Sequence, residues 1–172
     1  QWKEAEELGK QVLETRKRVL GEEHPNTLAS MNNLALTCWS QGQWKKAEEL
    51  GKQVLEIKKR VFGEEHPDTL TSIGNLASTY WSQGQWKKAE ELGKQVLETS
   101  KRVLGDTHPN TLTILGNLAY TLKSQGRKEE AISLMETCVQ LHKRTLGSHH
   151  LHTELLLNAL NEWQTENIEA VR

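Results

Sequence analysis

At 172 residues the chain has the length of about one domain. Its net charge of −1, from 22 basic and 23 acidic side chains, argues against the basic surface that a nucleic-acid backbone or an anionic membrane requires. Only 35% of residues are hydrophobic and the mean hydropathy is −0.68, low for a globule around one core but suited to an elongated stack with much solvated surface.

No apolar run approaches the roughly 18 residues of a membrane span, and no signal-peptide pattern opens the chain. Gln1 stands inside a repeat, so the sequence reads as an excised fragment, with any targeting signal outside it. Cys38 and Cys138, the two cysteines, cannot build a disulfide framework, which points to a reducing compartment such as the cytoplasm.

Internal repetition organises the chain. Trp2, Trp44 and Trp86 are spaced by 42 residues, as are Gly21, Gly63, Gly105 and Gly147, and His24, His66, His108 and His150. Between 2–43 and 44–85 only 10 of 42 positions differ, the mark of a recent duplication. Units of about 1–43, 44–85, 86–127 and 128–172 follow, forming a single array with the last unit a diverged cap, as terminal solenoid repeats tend to be.

Each unit predicts two helices. The first two fall at 2–20 and 25–41. In the third, 44–62, Trp44, Ala47, Leu50, Val54, Leu55 and Val61 recur at helical spacing, while Lys45, Lys46, Glu48, Glu49 and Lys52 face away. Glu48 and Lys52 form a favourable i,i+4 pair, and Gly63 ends the helix where a left-handed residue is cheapest. The fourth, 67–83, opens on Pro67, whose missing N–H costs nothing there, with Asp68 beside the positive end of the dipole. It buries Leu70, Ile73, Leu76, Ala77 and Tyr80, and Gly84 closes it. The pattern repeats at 86–104, 109–125, 128–146 and 150–169. Short loops between paired helices make this an all-α chain, an α-solenoid.

Ile73, Leu76, Ala77, Tyr80, Gly84 and Ala89 carry a resemblance: their order and spacing are similar to the tetratricopeptide motif. Gly93 departs from it, standing where the family usually has an aromatic. The family's unit is about 34 residues, so each unit here has an insertion in the Lys-Arg-Val-Leu-Gly-Glu-Glu-His-Pro segment. That variety resembles kinesin light chains. The wording around Gln-Gly-Gln-Trp-Lys-Lys-Ala-Glu-Glu-Leu resembles still more the C-terminal arrays of fungal NACHT or NB-ARC receptor-like (NLR-like) ATPases. The resemblance implies a right-handed superhelix with a concave groove lined by the first helix of each repeat.

Matching motif positions place Asn33, Asn75 and Asn117 in that groove, followed by Asn32, Gly74 and Gly116, then Leu36, Ser78 and Tyr120, then Trp39, Trp81 and Lys123. An amide offers the donor and acceptor that an extended peptide backbone needs; the bland reading is that these asparagines bond neighbouring helices. Trp39 and Trp81 read either as binding anchors or as half-buried packing residues. Lys123 favours an acidic ligand residue near the C-terminal end. The Asn32, Gly74 and Gly116 positions lack the basic residues of a carboxylate clamp. Trp2, Trp44 and Trp86 read as packing between helices.

One histidine per repeat puts neighbours on the order of 10 Å apart, too far to share a zinc, so the histidines read as helix caps and no metal is expected. Cys38 and Cys138 read as small core residues. Gly51-Lys52 lacks the spacing of a phosphate loop. No catalytic constellation and no cofactor site appears, so the chain reads as a non-enzymatic module that binds a protein or peptide, the sensor part of a larger ATPase. The alternatives are a self-associating scaffold or a kinesin-light-chain-like cargo adaptor.

Overall fold

The computed structural model describes residues 2–170, with side chains over 4–167. Among the described residues there are eight helices and no strand: α1 (Trp2–Leu20), α2 (Pro25–Ser40), α3 (Trp44–Phe62), α4 (Pro67–Ser82), α5 (Trp86–Leu104), α6 (Pro109–Ser124), α7 (Lys128–Leu146) and α8 (Leu151–Ala170). Helix α8 begins and ends one residue later than the spacing predicts. Helices α2, α4 and α6 end one residue earlier, because Gln41, Gln83 and Gln125 serve as C-caps. The packing expected of Trp2 concerns a side chain outside the described ones.

The helices gather into two compact units, α1–α4 and α5–α8, with the boundary between Gln85 and Trp86. Within each unit every helix packs on the next one in sequence.

Local chemistry sets the helix ends. His24, His66 and His108 are N-caps in extended conformation, each accepting the N–H two residues on through its side chain. His150 accepts from the Asn-equivalent His152 N–H at 3.2 Å. A proline in the first turn follows the three N-caps, where no amide proton is needed. At the far end of α4, Gln85 N–H donates to the Tyr80 carbonyl and Gly84 N–H to the Trp81 carbonyl, each at 2.9 Å. This is the Schellman pattern, with Gly84 at φ 72°. Gly63 ends α3 differently. At φ 94° and ψ 164° it is extended with positive φ rather than left-handed helical, a region almost closed to side chains.

The core of unit 1 brings Leu13 of α1 together with Leu28, Met31, Leu34 and Cys38 of α2 and Ala47 and Val54 of α3. Glycine shapes one apolar face of α1, α3 and α5, where α7 has Met135 instead. A methyl group on Gly9 would lie 3.3 Å from Leu34 Cδ1, on Gly51 3.6 Å from Leu76 Cδ1, and on Gly93 3.3 Å from Leu118 Cδ1. A leucine of the next helix thus lies close over the site of the expected aromatic, which is the physical reason for the departure at Gly93.

Glu48 does not simply face away from the core. It pairs with Lys52 at 2.6 Å and also accepts a 2.8 Å hydrogen bond from the Gln83 amide after α4. The equivalent Glu90 accepts from Gln125 and Arg127, and Glu6 from Gln43. Burial alone would raise the Glu90 pKa, but hydrogen bonds from Lys94, Arg127 and Gln125 outweigh it and hold the carboxyl at about 2. For Glu6 the bonds from Lys10 and Gln43 dominate, again giving about 2.

Because the folded-state value lies below the ordinary 4.5, the Glu90 charge stabilises unit 2 above that pH, and its contribution fades as pH falls towards 2. Glu90→Gln is therefore expected to lower the melting temperature at pH 7, at a cost of about 1 kcal/mol or less because solvent reaches the cluster. The gap to the parent chain should close between pH 4.5 and 2. Thermal melts across that range check it.

Candidate partner-binding site

The side-chain register that buries Ile73, Leu76, Ala77 and Tyr80 of α4 places Gly74, Ser78 and Trp81 on a second stripe at i, i+4 and i+7. Asn32, Leu36 and Trp39 form this stripe on α2, and Gly116, Tyr120 and Lys123 form it on α6. Large apolar side chains on it remain exposed: Leu36 by 42%, Trp39 by 37%, Trp81 by 39% and Tyr120 by 38%.

In unit 1 the stripes of α2 and α4 lie side by side. The Asn75 amide donates to Asn32 Oδ1 at 3.3 Å, and the Trp39 indole N–H donates to Ser82 Oγ at 2.8 Å. The bland reading thus describes part of what Asn75 does, since it ties α4 to α2, whereas Asn33 is exposed. Ser78 is half-buried and donates to the Gly74 carbonyl. A shallow cavity beside this stripe is lined by Pro25, Ala29, Asn32 and Asn33 of α2, Lys58 and Phe62 of α3, and Asp68 and Thr71 of α4.

In unit 2 the stripe of α6 meets α8. Tyr120 contacts Trp163 edge-on with centroids 5.1 Å apart. The Lys123 ammonium sits 5.3 Å from the Trp163 ring centroid and pairs with Glu166. The acidic partner expected for Lys123 is therefore already supplied by the chain itself, from α8. Asn117 is exposed on α6.

Two further features concern the odd-numbered helices. Trp44 and Trp86, read as packing residues, each keep 41% of their surface exposed; they open α3 and α5 a turn before the buried Ala47 and Ala89, so they pack only in part. The second feature is the series Arg16, Lys58, Ser100 and His142, which share one register position on the odd-numbered helices. Arg16 donates to the Asn26 carbonyl and Ser30 Oγ, and the buried Lys58 to the Asp68 carbonyl and Ser72 Oγ. Burial pushes the Lys58 pKa down. Ser100 is fully buried and its hydroxyl finds no partner among the described residues. His142 is buried with Nδ1 2.9 Å from the Cys138 carbonyl, and since a carbonyl only accepts, that nitrogen carries the proton. The signal lay 14 residues away: serine at 30 and 72 accompanies the cations, and Ile114 and Leu156 take its place where they are lost.

Cys38 and Cys138 are free and buried, and burial pushes the Cys138 thiol up to about 12, far from a reactive thiolate. Among the described residues no three metal-ligating side chains converge, and no helix is long and apolar enough to cross a membrane.

The Tetratricopeptide repeat family model matches residues 1–60, 53–102 and 75–144, which together span most of the chain. The chain is a tetratricopeptide repeat protein. Its fold is accordingly an all-α tetratricopeptide solenoid, similar to the crystal structure of a Podosopora anserina protein described as a kinesin light chain with nearly identical TPR-like repeats. That likeness has a TM-score of 0.77 at 34% identity, covering 99% of this chain and 82% of the other. A variant of the same protein aligns with a TM-score of 0.75 at 31% identity, over 98% and 89% of the two chains. BtubC from P. vanneervenii shares the fold with a TM-score of 0.76 at 21% identity, over 95% and 66%. Comparison with curated proteins gives no match.

Proposed function

We propose that the chain is one tetratricopeptide array, 1–172, that recognises a protein or peptide on the exposed stripe of its even-numbered helices. One observation carries this reading. In near-identical repeats, the stripe holds large apolar groups partly open to solvent, and it varies between repeats at Asn32, Gly74 and Gly116 and at Leu36, Ser78 and Tyr120. Aromatic side chains half out of water are the groups that anchor partners. Asn33, Asn75 and Asn117 supply main-chain hydrogen bonds, Trp39, Trp81 and Tyr120 apolar contacts, and Ser78 and Lys123 the flanking polar groups. The face has little fixed charge, so binding is expected to depend weakly on salt. Nucleic acid, membrane, metal and cofactor have no part in it, and no reaction is catalysed.

The wording of the repeats supports a wider setting in the cytoplasm, where the array is the ligand-sensing part of an NLR-like ATPase. The likeness to a protein described as a kinesin light chain favours cargo binding as the second reading. Exposed Trp44 and Trp86 on the odd-numbered helices favour a third, self-association through the opposite face.

The test begins with the chain as bait and mass spectrometry of what it retains, followed by titration of the purified partner. Asn75→Ala and Trp81→Ala are each expected to weaken binding by at least about 1 kcal/mol with little change in melting temperature. Normal binding by both, together with loss of binding in the Lys45→Glu, Glu49→Lys double variant, would move the interface to the odd-numbered helices.

A further inference from the structure

The C-terminal ends of the helices are matched unevenly with charge. Helices α1, α3, α5, α6 and α7 each carry lysine or arginine in the last turn, where a cation meets the partial negative charge of the helix end. Helices α2 and α4 carry none. Their last turns hold Trp39 and Trp81 instead, at the register position that α6 gives to Lys123. The two ends lie side by side, because the Trp39 indole N–H donates at 2.8 Å to Oγ of Ser82, the last residue of α4. Both indoles are partly open to solvent, Trp39 by 37% and Trp81 by 39%. With its N–H committed to Ser82, the Trp39 ring has no donor left for a carboxylate and offers a partner its π face.

We propose that these two helix ends bind a positively charged side chain of the partner, an arginine or lysine laid on the Trp39 and Trp81 indoles. Unit 2 contains the same chemistry within itself. There the Lys123 ammonium stands 5.3 Å from the Trp163 ring centroid at the end of α6, with Glu166 as its counter-ion. Unit 1 has the aromatic half of such a pair and two helix ends, but no cation in the last turn of either helix. Tryptophan is the best aromatic face for a cation. Arginine fits better than lysine, since its planar, weakly hydrated guanidinium stacks on an indole and keeps N–H donors for helix-end carbonyls. A cation held by π faces and partial charges pairs with no fixed anion, so the weak salt dependence expected above still holds. The proposal rests on the even-numbered stripe being the binding face, and it names the partner's chemistry at one end of that stripe.

The probe is a phage-displayed library of random short peptides, panned on the full chain, with the enriched peptides then synthesised and titrated by fluorescence anisotropy. They are expected to share an arginine or lysine whose replacement by leucine weakens binding at least about fivefold, the scale of one cation–π contact. Trp39→Leu and Trp81→Leu, which keep an apolar group but remove a π face, should each weaken binding by as much. Trp81→Tyr, which keeps a face, should lose less. All three variants should melt within about 4 °C of the parent, because the indoles lie at the surface. Enriched peptides whose essential side chain is acidic or apolar, and which both leucine variants bind poorly, overturn the proposal while leaving the stripe as the binding face. Equal binding by both leucine variants and the parent also overturns it, and if Trp44→Leu abolishes that binding the stripe reading falls too.

Discussion

Leu76→Asp is expected to unfold unit 1 at room temperature. Leu76 is 5% exposed, and its Cδ1 approaches the open side of Gly51 so closely that an added methyl would touch it at 3.6 Å. Removing a leucine from such a place costs about 2–5 kcal/mol. A carboxylate left without a partner adds several more, and few domains have that much stability in reserve. Lys46→Ala is the matched control. Its ammonium is exposed and reaches Gln43 and Glu6 only through solvent-screened contacts, so the cost should stay within about 0.5 kcal/mol. Denaturant melts of both variants check the pair, and equal losses would mean that the buried and solvated faces of these helices are misassigned.

The second large effect concerns the inner polar series. Lys58 is tolerated in the core because its ammonium donates to both the Asp68 carbonyl and the Ser72 hydroxyl. In the next repeat the register equivalents are Ser100 and Ile114, both buried. Ser100→Lys brings a cation to a site that has lost one of those two acceptors, and the expected cost is about 1–3 kcal/mol. Ile114→Ser alone leaves a space and an extra hydroxyl, and is also destabilising, by an amount comparable to other large-to-small core changes of about 2–5 kcal/mol. Together they recreate the arrangement of unit 1. The double variant should therefore be more stable than the sum of the single losses by at least about 1 kcal/mol, a coupling that a double-mutant cycle measures. Additive losses would show that the repeats did not exchange these residues as a pair.

Most of the fold was legible because each repeat spells out its own punctuation. His-Pro marks the start of every even-numbered helix but the last, Gln-Gly marks its end, and the glycine of the Leu-Gly or Phe-Gly step stops the odd-numbered ones. Apart from α8, the one-residue errors fall at the Gln41, Gln83 and Gln125 C-caps, where near-helical torsions make a boundary residue hard to assign from composition. The motif register picked out Leu36, Trp39, Trp81 and Tyr120 on one stripe, and all four are partly open to solvent. The bond from Asn75 to Asn32 was one of the two readings the sequence offered, but the acid that Lys123 finds in Glu166 was not legible; it depends on how neighbouring even-numbered helices lie against each other, which a pattern within one helix does not encode. Lys58 shows the same limit. A lysine at the edge of an apolar stripe normally extends to water, and only the serine 14 residues away tells that it turns inward.

The placement of the binding face is tested most directly by the tryptophans, which report on both sides at once. Trp39 and Trp81 on the even-numbered helices are 37% and 39% exposed, and Trp44 and Trp86 on the odd-numbered helices are each 41% exposed, so all four start nearly equal. Hydroxyl-radical footprinting of the chain with and without its captured partner compares their rates of oxidation by mass spectrometry. Slower oxidation of Trp39 and Trp81 with Trp44 and Trp86 unchanged is the predicted result. Protection of Trp44 and Trp86 with Trp39 and Trp81 unchanged would contradict it and place the partner on the opposite face.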